Sequence, residues 1–179
     1  MKHGPNPVTK IVLKNVVLSF PSLDEPAVYD GKSTGKYEAT FLISKTNQQQ
    51  IIDLVGEKTD LLTKGKPVFI THDKHCMKDG DDITYRGYAG NYALKAGNYD
   101  KPSVVGRDKS PLDPSELYPG CVVNAVIDLW CQDNKYGQRV NANVFAIQFV
   151  KHGEALASVN AKTNALDDLD DLVEENIPF

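Results

Sequence analysis

Along the chain the apolar positions switch between a two-residue period and a three-to-four-residue period, and the switches mark out the elements. The stretch VTKIVLKNVVLSFPSL is dense in Val, Ile and Leu and predicts a long first strand cut off by Pro21. DEPAVYDGKSTGK, with Pro26, Gly31 and Gly35, predicts a loop. KYEATFLIS alternates Tyr37, Ala39, Phe41 and Ile43 against Glu38, Thr40, Leu42 and Ser44, a strand with at least one buried face. In KTNQQQIIDLVGEKTDLLTKGK the period lengthens. It predicts a helix capped by Thr46, with Ile51, Ile52, Val55 and Leu62 on its apolar face and a stop at Gly65 and Pro67; Gly56 weakens its interior. PVFITH predicts a short strand, and the turn-rich residues 73–119 predict one further strand between long loops.

The pattern is clearest near the end of the body. CVVNAVIDLWCQ, DNKYG and QRVNANVFAIQFV read as strand, turn and strand, a long hairpin. Strict alternation puts Cys121, Val123, Ala125, Ile127, Leu129 and Cys131 on a core face, and Val122, Asn124, Val126, Asp128, Trp130 and Gln132 on the other, mixed face. Five or six strands and one helix, without internal repeats, predict a mainly β fold: an OB-fold-like antiparallel barrel with long loops.

After Lys151 periodicity is lost and the chain runs into DDLDDLVEENIPF. Residues 1–160 hold 19 Lys+Arg against 18 Asp+Glu, and residues 161–179 hold 1 against 6, so the net charge of -4 divides into +1 for the body and -5 for the end. We therefore expect a single domain over residues 1–160 and a flexible, disordered acidic tail over 161–179. Leu166, Leu169, Leu172 and Val173 recur at helical spacing, so an acidic amphipathic helix packed on the body is the alternative. That alternative does not account for the last three residues, Ile177, Pro178 and Phe179. An acidic run ending in exposed apolar residues suits docking into another protein's pocket, with Asp167, Asp168, Asp170, Asp171, Glu174 and Glu175 supplying the charge.

No apolar window reaches the ~18 residues needed to span a bilayer, and MKHGPNPVTK has no signal-peptide core, so we expect a cytosolic protein without a membrane partner. Cys76, Cys121 and Cys131 lack the spacing of a zinc site or disulfide framework. The segment THDKHC followed by KDGDD gathers His72, Asp73, His75, Cys76, Asp79, Asp81 and Asp82, and a metal-dependent nuclease is the enzymatic alternative. Its spacing suits a strand running into a polar turn better than a ligand set, so no metal, cofactor or catalytic residue is expected.

The chemistry favoured instead is stacking combined with phosphate contact. Tyr85, Tyr88, Tyr92 and Tyr99 are interleaved with Arg86, Lys95 and Lys101, and the small residues of YRGYAGNY leave room for a flat base. Trp130, beside a turn carrying Lys135, Tyr136 and Arg139, offers a second platform. Each ring has an equally good structural role, filling the core with its polar atom at the rim.

DDLDDLVEENIPF resembles the acidic tip of bacterial single-stranded-DNA-binding proteins, which implies that Ile177, Pro178 and Phe179 enter a pocket on replication and repair proteins. The body differs from that family. NVVLSFPSLDEP, GKYEATFLISK, YRGYAGNYALKAGNYDKPSVVGRD, LYPGCVVNAVIDLW and VNANVFAIQFVKHGEAL resemble a bacteriophage family of single-stranded-DNA-binding proteins. That resemblance implies an OB-fold barrel, no enzymatic activity, sequence-independent binding of single-stranded DNA, and a role in phage DNA replication or recombination in the cytoplasm of the bacterial host. Self-association is a further candidate. An adaptor that recruits replication proteins without binding DNA remains the non-enzymatic alternative.

Overall fold

A computed structural model of the chain describes residues 4–64, 68, 70–135 and 137–156. Five long strands make the body: β1 (Lys10–Ser22), β4 (Tyr37–Ser44), β6 (Asn91–Asn98), β8 (Val122–Asn134) and β9 (Gly137–Lys151). Four short strands accompany them: β2 (Val28–Tyr29), β3 (Lys32–Ser33), β5 (Met77–Asp79) and β7 (Ser103–Val105). The main sheet runs β5-β6-β4-β1-β8-β9-β7, and a parallel pairing of Gly97 in β6 with Asn143 in β9 joins the first and last of the long strands in that order. The long strands thus close on themselves as a five-stranded barrel, the arrangement of an OB-fold.

Closure needs bends, and β1 supplies them. Its pairing with β8 shifts register between Leu13 and Val16, and its pairing with β4 shifts between Ser19 and Ser22. A left-handed residue stands in each irregularity, Asn15 at φ 56° and Phe20 at φ 44°. The first is held by the Asn15 N–H donating to Asn124 Oδ1 (2.9 Å) and by Gln48 Nε2 donating to the carbonyls of Lys14 and Asn15. The second turns Phe20 outward.

Inside the barrel lie Ile11, Leu13, Val16, Leu18, Phe41, Ile43, Met77, Leu94, Ile127, Leu129, Val144 and Ile147, all essentially fully buried. The alternation expected for β8 holds: Cys121, Val123, Ala125, Ile127 and Leu129 are buried on one face, and Cys131 is half-buried. Helix α1 (Gln49–Thr63) closes one side with Ile52 and Val55, while Ile51, Leu54 and Leu62 pack at its margins.

Three expectations are corrected. The helix begins at Gln49 without a side-chain cap; Thr46 instead bonds Ser44 Oγ, and Gln48 Oε1 turns back to accept the Ser44 N–H. The described part of PVFITH is not a strand: Thr71 sits at φ 73°, and its N–H reaches the Met77 carbonyl, so pairing with β6 begins only at Met77. Residues 73–119 contain three strands rather than one. In β6, Leu94 and Ala96 face inward and Ala93, Lys95 and Gly97 face outward; the small apolar Ala93 and Gly97 on the outer face weaken the polar contrast that would mark a strand. Two boundaries also moved. β1 runs through Pro21 to Ser22, and the hairpin strands pair as far as Asn134 with Gly137, leaving a two-residue turn. The expected tail and the helix stop at Gly65 and Pro67 lie outside the described residues.

Candidate nucleic-acid interface

The outer face of β4 and β6 forms the floor of an open groove of about 640 Å³. Thr40 and Glu38 of β4, and Ala93, Lys95 and Gly97 of β6, alternate outward, opposite to the core residues between them. Small side chains keep this floor low. At Gly97 a Cβ would sit 2.7 Å from Lys36 Cε, because the Lys36 stem lies across it.

Two aromatic rings stand at one end. Phe20 on the β1 bulge and Tyr85 on the loop before β6 are each 47% exposed and meet edge to face, with centroids 4.9 Å apart. Tyr88 lies beneath Tyr85, also edge-on at 5.5 Å. Tyr88 is only 3% exposed, and its hydroxyl hydrogen-bonds Ser19 Oγ (2.8 Å); burial raises its pKa. Tyr88 thus lines the groove as a buried ring that supports Tyr85 from beneath.

Basic groups line the remaining walls: Lys36, Lys78, Lys95 and Arg139 against one carboxylate, Glu38. Lys95 pairs with Glu38 at 3.4 Å but keeps 64% of its side chain exposed, so water screens the pair and an incoming anion can compete. Lys78 donates to the carbonyls of His72 and Asp73, and burial together with the Arg139 charge lowers its pKa. Beyond the wall, the Lys36 ammonium lies 5.6 Å above the ring of Tyr99, which is 74% exposed.

The remaining candidates fall elsewhere. Tyr92 is on the inward side of β6, packed against the core, with Lys45 over its ring at 4.9 Å. Arg86 points away to Glu154 (3.4 Å), and Lys101 to Asp24 (3.3 Å). Trp130 is half-buried on β8 beside Asn141, a groove residue, with its indole N–H buried and without a hydrogen-bond partner. Lys135 occupies the hairpin turn, and Tyr136 lies outside the described residues. Sequence reasoning missed Phe20, Lys36 and Lys78. Phe20 was read as a strand residue and Lys36 as part of a loop; only the register shift in β1 and the crossing of Lys36 over Gly97 bring them to the groove.

The His72–Asp82 segment is used structurally. His75 is 1% exposed; its Nδ1 accepts the Met77 N–H (2.9 Å), so Nε2 carries the proton and donates to Thr59 Oγ1 (2.8 Å). Burial lowers the pKa of His75 to about 4 and raises that of Cys76 to about 12. Asp79 and Asp81 both accept from Lys45, whose ammonium depresses both carboxyl pKa values. Among the described residues no three His, Cys, Asp or Glu side chains gather as metal ligands.

A profile of the family described as "Enterobacter phage Enc34, ssDNA-binding protein" matches residues 9–177. The chain belongs to this family. A relative in Acyrthosiphon pisum secondary endosymbiont phage 1, "Putative protein p50", is 35% identical over 181 residues, 94% of this chain and 98% of its own. The solved single-stranded DNA-binding protein from bacteriophage Enc34 in complex with ssDNA is 30% identical, with a TM-score of 0.73 over 83% of this chain and 90% of that one. The single-stranded DNA binding protein encoded by bacteriophage T7 matches at TM-score 0.53 and 10% identity over 84% of this chain, a likeness of fold alone. The Enc34 family is one of binding proteins, not enzymes. Among the described residues, the groove of this member combines exposed aromatic rings with basic side chains. No described helix is long and apolar enough to cross a membrane.

Proposed function

We propose that this protein binds single-stranded DNA in the β4–β6 groove without sequence preference, and coats strands exposed during phage DNA replication or recombination in the host cytoplasm. The observation that carries this is the exposed Phe20–Tyr85 pair at one end of a groove with four basic side chains and one acidic one. Bases stack on the two rings, and Tyr99 under Lys36 offers a further face at the rim. Each stacked base contributes about 1–3 kcal/mol, whatever its identity, because every base has a π-face. Lys36, Lys78, Lys95 and Arg139 meet phosphates, and Trp130 with Asn141 extends the path onto β8. A duplex hides its base faces and is held more weakly.

On this reading residues 1–160 are the DNA-binding part and residues 161–179 the partner-binding part, in which Asp167, Asp168, Asp170, Asp171, Glu174 and Glu175 supply the charge and Ile177, Pro178 and Phe179 dock on replication proteins. The reading is tested by anisotropy of labelled oligo-dT, titrated with the full chain and with a chain ending at Asn160, over a salt series. Both forms should bind, with affinity falling as salt rises. Absence of binding by either form at low salt would sink the proposal.

A further inference from the structure

Tyr85 sits on a loop, residues 80–90, and a loop is a poor place for a stacking ring unless something fixes it. What fixes it lies outside the groove. Lys45, just beyond the end of β4, does not line the groove at all. Its Nζ donates to Asp79 Oδ1 and to Asp81 Oδ2 (2.7 Å), and its backbone N–H donates to the Gly90 carbonyl (3.1 Å). Asp81 completes the ring of contacts, since its Oδ1 accepts the Gly90 N–H (2.8 Å); Asp79 Oδ1 accepts the Asp81 N–H (2.9 Å). One lysine therefore ties the start of the loop at residues 79–81 to its end at Gly90.

Within the closed loop, the Asn91 side chain donates to the Gly87 carbonyl (2.7 Å), and the Tyr88 N–H to the Tyr85 carbonyl (3.2 Å). These bonds carry the position of the closure to Tyr85. Lys45 is itself steadied by lying over the Tyr92 ring on the inward side of β6. We propose that Lys45 is a positioning residue for DNA binding: it closes the 80–90 loop so that Tyr85 meets Phe20, without touching DNA. This rests on the groove reading above.

The test separates positioning from phosphate contact and from general stability. Oligo-dT affinity is measured over a salt series for the full chain and for Lys45→Ala, Lys45→Arg, Lys95→Ala, Tyr85→Ala and the Lys45→Ala/Tyr85→Ala double variant, each with its thermal midpoint. Lys45→Ala should weaken binding about tenfold, within the range of a lost stacking contact, and leave the slope of log K against log salt unchanged. Lys95→Ala should flatten that slope by about 0.7, and Lys45→Arg should bind like the parent because it keeps both carboxylate bonds. In the Tyr85→Ala background the Lys45→Ala change should cost little, since the ring it positions is gone. A flattened slope, or additive losses in the double variant, overturns the inference. So does unchanged affinity of Lys45→Ala while Tyr85→Ala is weakened. If Tyr85→Ala and Lys95→Ala both bind like the parent, it is the groove reading that fails.

Discussion

At the scale of single residues, similar side chains in one short segment do different work. YRGYAGNY offers three tyrosines; one is half-exposed in the groove, one is buried beneath it and one faces the core under Lys45. Tyr85→Ala and Phe20→Ala should each weaken oligo-dT binding by about 5- to 150-fold, the loss of one stacked base, with little change in thermal midpoint. Tyr88→Phe should do the reverse. It removes the hydroxyl bond to Ser19 and should lower stability by about 0.5–1.5 kcal/mol in urea titrations, while binding changes little because the ring still supports Tyr85. The sequence pointed to this segment, since aromatic, basic and small residues are interleaved there. It could not say which ring is outward, because a loop has no period from which a face can be read.

At the scale of elements, α1 is joined to the segment before β5 by a buried polar contact: Thr59 Oγ1 donates to the Val55 carbonyl and accepts from His75. His75 titrates near 4 in the fold against 6.5 in the unfolded chain, so the unfolded state takes up protons first as pH falls. Its effect on stability is therefore absent above about pH 6.5 and grows as pH falls towards 4, reaching about 3 kcal/mol lost. Urea unfolding between pH 7.5 and 4.5 should show this loss, and His75→Asn should remove its steepness in that window. The barrel strands depend on their inward faces in the ordinary way. Leu94→Ala, at a fully buried site, should cost about 2–5 kcal/mol in the same assay. The hairpin β8–β9 was legible from alternation alone, whereas β6 was not, because Ala93 and Gly97 on its outer, groove face weaken the contrast with Leu94 and Ala96 inside.

For the whole molecule, the barrel's margin extends past its last strand. Tyr118 hydrogen-bonds His152 Nδ1 (2.9 Å), the Gly153 N–H donates to Tyr118 Oη (3.1 Å), and the Leu156 N–H donates to the Pro119 carbonyl (2.9 Å). Leu156 packs with Leu42, Tyr88 and Ala93, beneath the loop that carries Tyr85. A chain ending at Leu156 should keep its thermal midpoint and its oligo-dT affinity. One ending at Lys151 should lose about 1–3 kcal/mol, the burial of one leucine, and bind more weakly. The sequence by itself determined the mainly β class, the helix α1, the core face of β8 and the division of charge into +1 and -5, because each follows from local period or from composition. Only the tertiary structure decided the groove. Phe20, Lys36, Tyr85 and Arg139 come from four separate parts of the chain, and they meet because two bulges in β1 and the pairing of β6 with β9 bend the sheet into a closed barrel. Those contacts depend on register across long sequence separations, and no local pattern of hydrophobic and polar residues carries register between distant strands.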